Sequence, residues 1–256
     1  MNTTITNRTK APSEHILLYR RPASNFNEAL PLGQGRLGAM FYGDPECERI
    51  HINEDSVWSG GPRDRNNPSA KEMLPKLRSL LMEDNIPEAE RMVFDSMAGI
   101  PEGCRHYMPV GDLRIALSSS AEGHTATEVS EEANAEYLYR TLDLRRAVGA
   151  FSYRRGGVDF RQTIFCSAPA DALIVRCETK QEAPVSGVIC MEDGDRRDYI
   201  DENRPYTAPA ETGVACPEEA TIRYTGGSGG PDGISFCCMV RVKADGGSVR
   251  TLGNTI

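Results

Sequence analysis

The chain has 256 residues, of which 39% are hydrophobic and 26% charged, and its formal net charge is -8 at pH 7. This composition is typical of a globular protein with one large β domain or two smaller ones, and it argues against a largely disordered chain. The acidic balance, without a cluster of lysine and arginine interleaved with aromatic residues, argues against a nucleic-acid partner.

The N-terminal segment "MNTTITNRTKAPSEHILLYRRP" lacks the apolar core of roughly 7 to 15 residues that a signal peptide needs. No later run approaches the roughly 20 apolar residues of a membrane span. We therefore expect a cytoplasmic protein with no membrane contact and a disordered tail over residues 1–13.

The eight cysteines lie mostly in apolar, strand-like runs such as "IFCSA" and "FCCMV". A reduced thiol behaves there as a small hydrophobic side chain, so free thiols are predicted. No CxxC or CxxH spacing is present, and none of the four histidines has a partner histidine four residues on. The sequence therefore predicts no metal site and no cofactor.

The chain begins with a β pattern that a helical segment interrupts. From 14 to 58, short apolar runs such as "LGAMFYG" and "ERIHINED" alternate with Gly and Pro, as strands and turns do. Residues 69–98 instead show helical periodicity, and their second part opens with Pro87 and closes before Gly99. The leucines at helical spacing are Leu74, Leu77, Leu80 and Leu81. We predict a short helical insertion over about 69–98, whose first helix begins or bends at Pro75.

Beyond residue 107 the β pattern returns. The stretch "AFSYRRGGVDFRQTIFCS" predicts a hairpin, because two β-rich runs flank Gly156–Gly157 and the second run alternates apolar and polar residues. Further strands are predicted in "ALIVRCET", "VSGVICMED", "ATIRYTGG", "GISFCCMVRVKADGG" and "SVRTLG", and a long polar loop over 194–220. Regular strands joined by Gly-rich turns predict a mainly β fold, a sandwich of antiparallel sheets.

Two motifs are interpreted as structural. "GQGRLG", at residues 33–38, matches the spacing of a dinucleotide-binding fingerprint, but strand-like "AMFYGD" follows where that fingerprint needs a helix N-terminus. We interpret it as a tight turn between strands. "MPVGDLRIAL", at residues 108–117, is interpreted as a turn that leads into a strand, with Asp112 stabilising the turn. The acidic stretch "EVSEEANAE" is interpreted as a solvated face.

The stretch "INEDSVWSGGPRDRNNP", at residues 52–68, holds the only tryptophan of the chain and is interpreted as a loop. Carbohydrate sites pair an aromatic face with amides, carboxylates and arginines that bond to hydroxyls. The candidate residues here are Asn53, Glu54, Asp55, Trp58, Arg63, Asp64 and Asn67. Alternatively, Trp58 fills a hydrophobic gap while the Asp and Asn side chains satisfy turn amides, and the chemistry alone favours this structural interpretation.

The run from Leu18 to Ala70, which includes "NEALPLGQGRLGAMFYG" and "ERIHINEDSVWSGGP", resembles the opening of the glycoside hydrolase family 95 proteins, the inverting α-L-fucosidases and their relatives. "YMPVGDLRIAL" and "YRTLDLRRAVGAFSYRRGGVDFRQTIFCSAPADALIVRCE" continue the similarity, which is close up to Glu178 and loose beyond it. One departure is that Tyr19 or Phe26 stands where the family usually has a tryptophan.

The resemblance implies that residues 14–256 form an N-terminal super-β-sandwich domain, which in the family precedes an (α/α)6 barrel that carries the catalytic residues. No catalytic residue is therefore assigned in this chain. The parent protein is expected to hydrolyse an α-linked fucosyl or similar sugar with inversion. Three hypotheses follow: a domain inactive alone that packs on the barrel of its own polypeptide, a free-standing module that binds fucosylated oligosaccharides, and a purely structural module whose residues 52–68 form an interdomain contact.

Overall fold

The computed structural model describes residues 15–103, 105–118, 135–180, 183–193, 212–228 and 233–256. The predicted tail at 1–13, most of the acidic stretch at 128–136 and the part of the predicted loop at 194–211 lie outside these ranges. The described strands are β1 Ile16–Tyr19, β2 Leu30–Gly33, β3 Leu37–Phe41, β4 Glu48–Trp58, β5 Tyr107–Ser118, β6 Glu136–Asp143, β7 Val148–Arg155, β8 Val158–Ser167, β9 Ala172–Thr179, β10 Ser186–Glu192, β11 Thr212–Glu218, β12 Thr221–Gly227 and β13 Ser235–Arg241. The helices are α1 Ala70–Met82 and α2 Ile86–Ser96, and a short 3-10 helix spans Phe26–Glu28.

The strands form three sheets in which neighbouring strands are antiparallel. The first sheet has the order β1-β6-β7-β8-β9, the second β10-β5-β4-β3-β2, and the third β11-β12-β13. Apolar residues of all three sheets, among them Phe41, Phe151 and Tyr224, form one core. The first two sheets approach closely at Gly149, where a Cβ would lie 2.5 Å from the Phe41 ring. The predicted mainly β, antiparallel sandwich is thus confirmed.

Two predicted turns are confirmed. The hairpin of β7 and β8 turns at Gly156 and Gly157, whose φ angles of 55° and 81° are those of a two-residue type I′ connection. The "GQGRLG" stretch connects β2 to β3, with Gly33 paired to Gly38 and Gly35 at φ 105°. A side chain at residue 35 would be strained in this conformation, which explains the glycine.

The helical insertion is also confirmed, but it contributes little to the main core. Leu77 of α1 and Ala89 and Met92 of α2 form a small separate cluster. Pro75 lies inside α1 and does not mark its beginning, since the helix starts at Ala70. No helix in the described part of the chain is long and apolar enough to cross a membrane.

Two predictions for the C-terminal region are wrong. Residues 212–218, expected to belong to a long loop, form β11, which pairs with β12. Its glycine and proline suggested a loop, whereas the backbone hydrogen bonds of β12 and the inward side chains Val214 and Cys216 make it a strand. The "SVRTLG" stretch at 248–253 is not a strand, because its backbone forms only the Leu252–Thr255 bridge. The seven cysteines that the structure describes are free thiols.

Candidate functional site

Strand β4 carries the motif that contains Trp58, and its two halves differ. It lies between β3 and β5 near the middle of the second sheet. From Glu48 to Ile52 it pairs regularly with β5, whereas the register shifts at Asn53 and again before Trp58. Residues 52–58 are thus a strand, and the prediction of a loop is wrong for them. The loop begins only after Trp58.

The first half of β4 holds a buried group of charged side chains. The Asp112 carboxylate of β5 accepts hydrogen bonds from Arg49 Nε at 2.6 Å and lies 2.6 Å from Nδ1 of His51. Asp112 and His51 are almost fully buried. Asp112 lies in the middle of β5, so its predicted role in a turn is wrong.

The protonation of Asp112 reflects these partners. Burial by itself acts to raise the pKa of Asp112, but the hydrogen bond and charge of His51 and the charge of Arg49 outweigh it and hold the pKa below its ordinary value of 3.8. Asp112 therefore stays ionised at neutral pH and joins the two strands that carry "ERIHINED" and "MPVGDL".

Glu48 stabilises the turn between β3 and β4 through hydrogen bonds to its backbone. Its carboxyl oxygens accept hydrogen bonds from the backbone N–H of Tyr42 at 3.1 Å and of Asp44 at 2.7 Å. Burial raises the pKa of Glu48 to about 8, although the hydrogen bonds from the backbone oppose the increase. Because Glu48 is fully buried, no ligand in solvent can reach it.

The second half of β4 leads to the surface. Asn53 pairs with Pro109, which has no N–H to donate to the ladder, and the two strands rejoin at Trp58 and Tyr107. A longer stretch of β4 than of β5 spans this interval. The extra length turns Asp55 and Ser56 outward into solvent.

Trp58 and Tyr107 form an exposed aromatic pair. Their ring centroids are 5.3 Å apart and the planes are tilted by 55°. Trp58 is 43% exposed and Tyr107 41%. The indole Nε1 donates a hydrogen bond to the Asp55 carbonyl at 3.0 Å, which fixes the orientation of the ring. Such a pair offers an aromatic surface to an apolar patch of a sugar or of another domain.

A set of charged side chains begins at Glu54, on the same strand as Trp58. Arg36, in the turn between β2 and β3, donates a hydrogen bond to Glu54 at 2.8 Å and forms an ion pair with Asp171, between β8 and β9. Gln34 also bonds to Asp171, at 2.9 Å. These contacts join the ends of the first and second sheets. We call this surface the Trp58 rim, and it consists of Gln34, Arg36, Glu54, Asp55, Trp58, Tyr107 and Asp171.

The pKa values of Glu54 and Tyr107 are shifted from their ordinary values by burial and by neighbouring rim groups. Burial acts to raise the pKa of Glu54, but hydrogen bonds from Ser56 and Arg36 outweigh it, so the pKa lies below its ordinary value. Burial, together with the charges of Glu54 and Asp55, raises the pKa of Tyr107. Glu54 is therefore an anion at neutral pH that accepts hydrogen bonds and does not donate a proton.

The predicted site residues divide into two groups. Glu54, Asp55 and Trp58 belong to the rim, and Asn53 lies just below it with its Nδ2 bonded to the Met108 carbonyl. The remaining residues, Arg63, Asp64 and Asn67, lie in the segment that follows the rim and leads to α1.

Two of these remaining residues have local roles. Asn67 accepts hydrogen bonds from Ser69 and donates one to the Ala98 carbonyl at 3.1 Å, and Asp64 accepts one from the Asn66 backbone at 2.9 Å. Arg63 is exposed. Whether any predicted residue binds a ligand stays a prediction.

The sequence analysis did not predict four rim residues, which are Gln34, Arg36, Tyr107 and Asp171. Arg36 lies inside "GQGRLG", whose glycines indicated only a turn, and Tyr107 directly precedes "MPVGDL". Asp171 lies far away in the chain, in the first sheet, and reaches Gln34 and Arg36 of the second sheet because the two sheets pack against each other. Across the described residues, no group of three or more His, Cys, Asp or Glu side chains is placed to hold a metal ion.

The fold and the motifs define the class of protein. The family model of the glycosyl hydrolase family 65 N-terminal domain matches residues 17–256, and the chain belongs to this family. The family 95 α-L-fucosidases share this kind of N-terminal domain, so the resemblance stated from the sequence is confirmed. The match also covers the region beyond Glu178 where the similarity to the motifs is loose.

Two curated relatives that the chain matches are named as fucosidases. The chain is 29% identical over 245 residues to "Alpha-L-fucosidase 2" of Arabidopsis thaliana. The matched region covers 93% of this chain and 28% of that protein. It is 25% identical over 227 residues to "Probable alpha-fucosidase A" of Aspergillus oryzae, covering 86% of this chain and 28% of that protein. The chain thus spans little more than a quarter of the length of these relatives.

Proposed function

We propose that the chain is the non-catalytic N-terminal β-sandwich domain of an inverting α-L-fucosidase-like glycoside hydrolase. In this proposal the domain packs on a helical (α/α)6 barrel of the same polypeptide and shapes the entrance to its active site. The observation that carries the proposal is the Trp58 rim, which combines an exposed aromatic pair with carboxylate side chains and includes part of the strand that holds motifs typical of the family. The names of the relatives supply the fucosyl substrate.

The chemistry of the carboxyl groups supports a non-catalytic domain. Inverting glycosidases need an accessible carboxylic acid with a raised pKa and a separate carboxylate that activates water. At the rim, the pKa of Glu54 is lowered, so it is a poor acid at neutral pH. Glu48 has a raised pKa but lies fully buried beneath the β3–β4 turn. Neither residue fits the role of the acid.

An activity assay tests this proposal. The 256-residue chain and the full gene product are each incubated with a fucosyl substrate, and the anomer that is released is followed by NMR. We expect turnover only with the longer product, which should release the inverted anomer. Turnover by the 256-residue chain, or retention of configuration by the longer product, would contradict the proposal.

A second candidate function is direct binding of a fucosylated oligosaccharide by the rim. The tilted aromatic pair beside Glu54 and Arg36 favours it, because carbohydrate sites combine an aromatic face with charged hydrogen-bonding groups. Since Trp58 is the only tryptophan, its fluorescence reports on the rim alone. We expect millimolar L-fucose or fucosyllactose to change the emission of the wild type, and glucose to have no such effect. An unchanged spectrum would exclude this candidate.

The cytoplasmic location expected from the sequence belongs to the same proposal. Free thiols at the seven described cysteines are in keeping with a reducing compartment. Fractionation of cells that express the full gene product is the test. Recovery from an oxidising compartment would contradict the proposal.

A further inference from the structure

The hairpin of α1 and α2 leaves most of its apolar side chains exposed. Its own core has three buried residues. The exposed fraction is 64% for Phe94, 51% for Leu81, 44% for Val93 and 42% for Ile86. Solvent exposure of this many large apolar side chains on two short helices is typical of a surface that another element covers.

These side chains line a groove between the two helices. The groove has a volume of about 440 Å³, and its lining includes Leu81, Ile86, Glu90, Val93 and Phe94. A groove between two packed helices accommodates the apolar stripe of a third helix, whose side chains at i, i+3, i+4 and i+7 enter it. Because nearly all of the lining is apolar, the matching partner is an amphipathic helix and not a polar ligand.

The hairpin projects from the end of the sandwich that carries the Trp58 rim. Its two connecting segments follow Trp58 and precede Tyr107, and they run side by side. The backbone N–H of Ser59 bonds to the His106 carbonyl at 2.9 Å, and that of Ile100 to the Arg65 carbonyl at 3.0 Å. A domain that packs over the rim therefore lies next to the base of the hairpin.

We propose that an amphipathic helix from the part of the polypeptide that follows residue 256 occupies this groove. The inference rests on the proposed function. Its support is that the chain covers 28% of the length of its relatives, so a full-length protein of their size supplies much further chain. A segment tethered to this domain has an effective concentration near the millimolar range, which favours it over a second copy of the protein at micromolar concentration.

Photo-crosslinking of the full gene product tests the inference. A photoreactive amino acid replaces Phe94, and the matched control carries it at Ser79, which lies on α1 outside the groove. We expect the Phe94 position to crosslink within one chain, to a peptide beyond residue 256, at a yield at least fivefold above the Ser79 position. A crosslink between two copies, or a yield equal to that at Ser79, would overturn the inference.

The mass of the purified gene product separates this inference from the proposed function. A mass near the 28.1 kDa of the present chain would contradict the proposed function and, with it, the docking. A larger protein that releases fucose but shows no crosslink from Phe94 would contradict the docking alone. As a second measurement, Phe94→Ser in the full gene product should increase hydrogen exchange in the docked segment, and unchanged exchange would count against the docking.

Discussion

The two halves of β4 differ in the environment of their polar side chains, which is more buried in the first half and more exposed to solvent in the second. In the first half, Arg49 and His51 reach Asp112 inside the sheet. In the second half, Glu54 and Trp58 lie at the surface, where the register with β5 is irregular. Charges in the first half are enclosed and contribute to folding, whereas those in the second half can contact a ligand or another domain. Substitutions in the two halves should therefore separate stability from binding.

The largest effect is expected at Asp112. Asp112→Asn removes the buried carboxylate that accepts a hydrogen bond from Arg49 and lies against His51, which should lower the free energy of unfolding by about 3 kcal/mol. Urea denaturation of the purified protein measures the loss. Asp171→Asn is the matched control, because Asp171 is half exposed and Asn tolerates its φ of 46°. We expect the control to lose less than about 1 kcal/mol. Equal losses would show that the buried carboxylate bonded to the first half of β4 contributes no more to stability than the exposed one at the rim.

The pH dependence of stability sharpens the same comparison. Because the folded state holds the pKa of Asp112 below 3.8, its contribution is fully present above that pH and is lost as the pH falls through the folded pKa. Urea midpoints from pH 2 to pH 6 should fall less steeply at the acid end for Asp112→Asn than for the wild type. Parallel curves would show that Asp112 is not responsible.

A smaller effect is expected at Arg36. The side chain is 59% exposed, so Arg36→Ala should change the free energy of unfolding by less than about 1 kcal/mol. Since Arg36 helps to hold the pKa of Glu54 low, that pKa should rise in the variant, as an NMR titration of the carboxyl carbon would detect. Arg63→Ala, in the following segment, serves as the control and should leave the pKa of Glu54 unchanged.

The smallest effect on stability is expected at Trp58. Trp58→Phe keeps an aromatic ring beside Tyr107, and the residue is 43% exposed, so the urea midpoint followed by circular dichroism should change little. The variant should lose the tryptophan emission band and keep only tyrosine fluorescence, since Trp58 is the only tryptophan and the chain has nine tyrosines. A destabilisation above about 2 kcal/mol would indicate that Trp58 belongs to the core, as the structural interpretation of the sequence holds.

Much of the fold could be predicted because its signals are local. The Gly156–Gly157 hairpin follows from turn residues between alternating runs, and the helical insertion from periodicity between Pro87 and Gly99. The errors fall where a distant contact decides. Gly111 before Asp112 is typical of a turn, yet β4 and β10 pair on both sides of this segment and extend it into a strand.

In the candidate site, too, the local sequence predicted some residues, while contacts between distant segments decided others. The type of residues around Trp58 predicted a surface with aromatic and charged groups, and Glu54, Asp55 and Trp58 belong to it. Arg63 and Asn67 share that composition but lie in the segment that continues toward α1, where Asn67 bonds to Ser69 and to the Ala98 carbonyl. Arg36 and Tyr107 were missed because they come from neighbouring strands and not from the same segment.

The amino-acid sequence by itself determined the fold class, the hairpins, the helical insertion and the family, since these depend on short-range patterns and on motifs in a fixed order. Only the tertiary structure decided that Asp112 is enclosed by Arg49 and His51, and that Arg36 bonds to both Glu54 and Asp171. The physical reason is that β4 pairs with β5 and that the first sheet packs against the second, which brings residues 61 to 137 positions apart within hydrogen-bond distance. It likewise decides which charges are removed from water and which stay in contact with it.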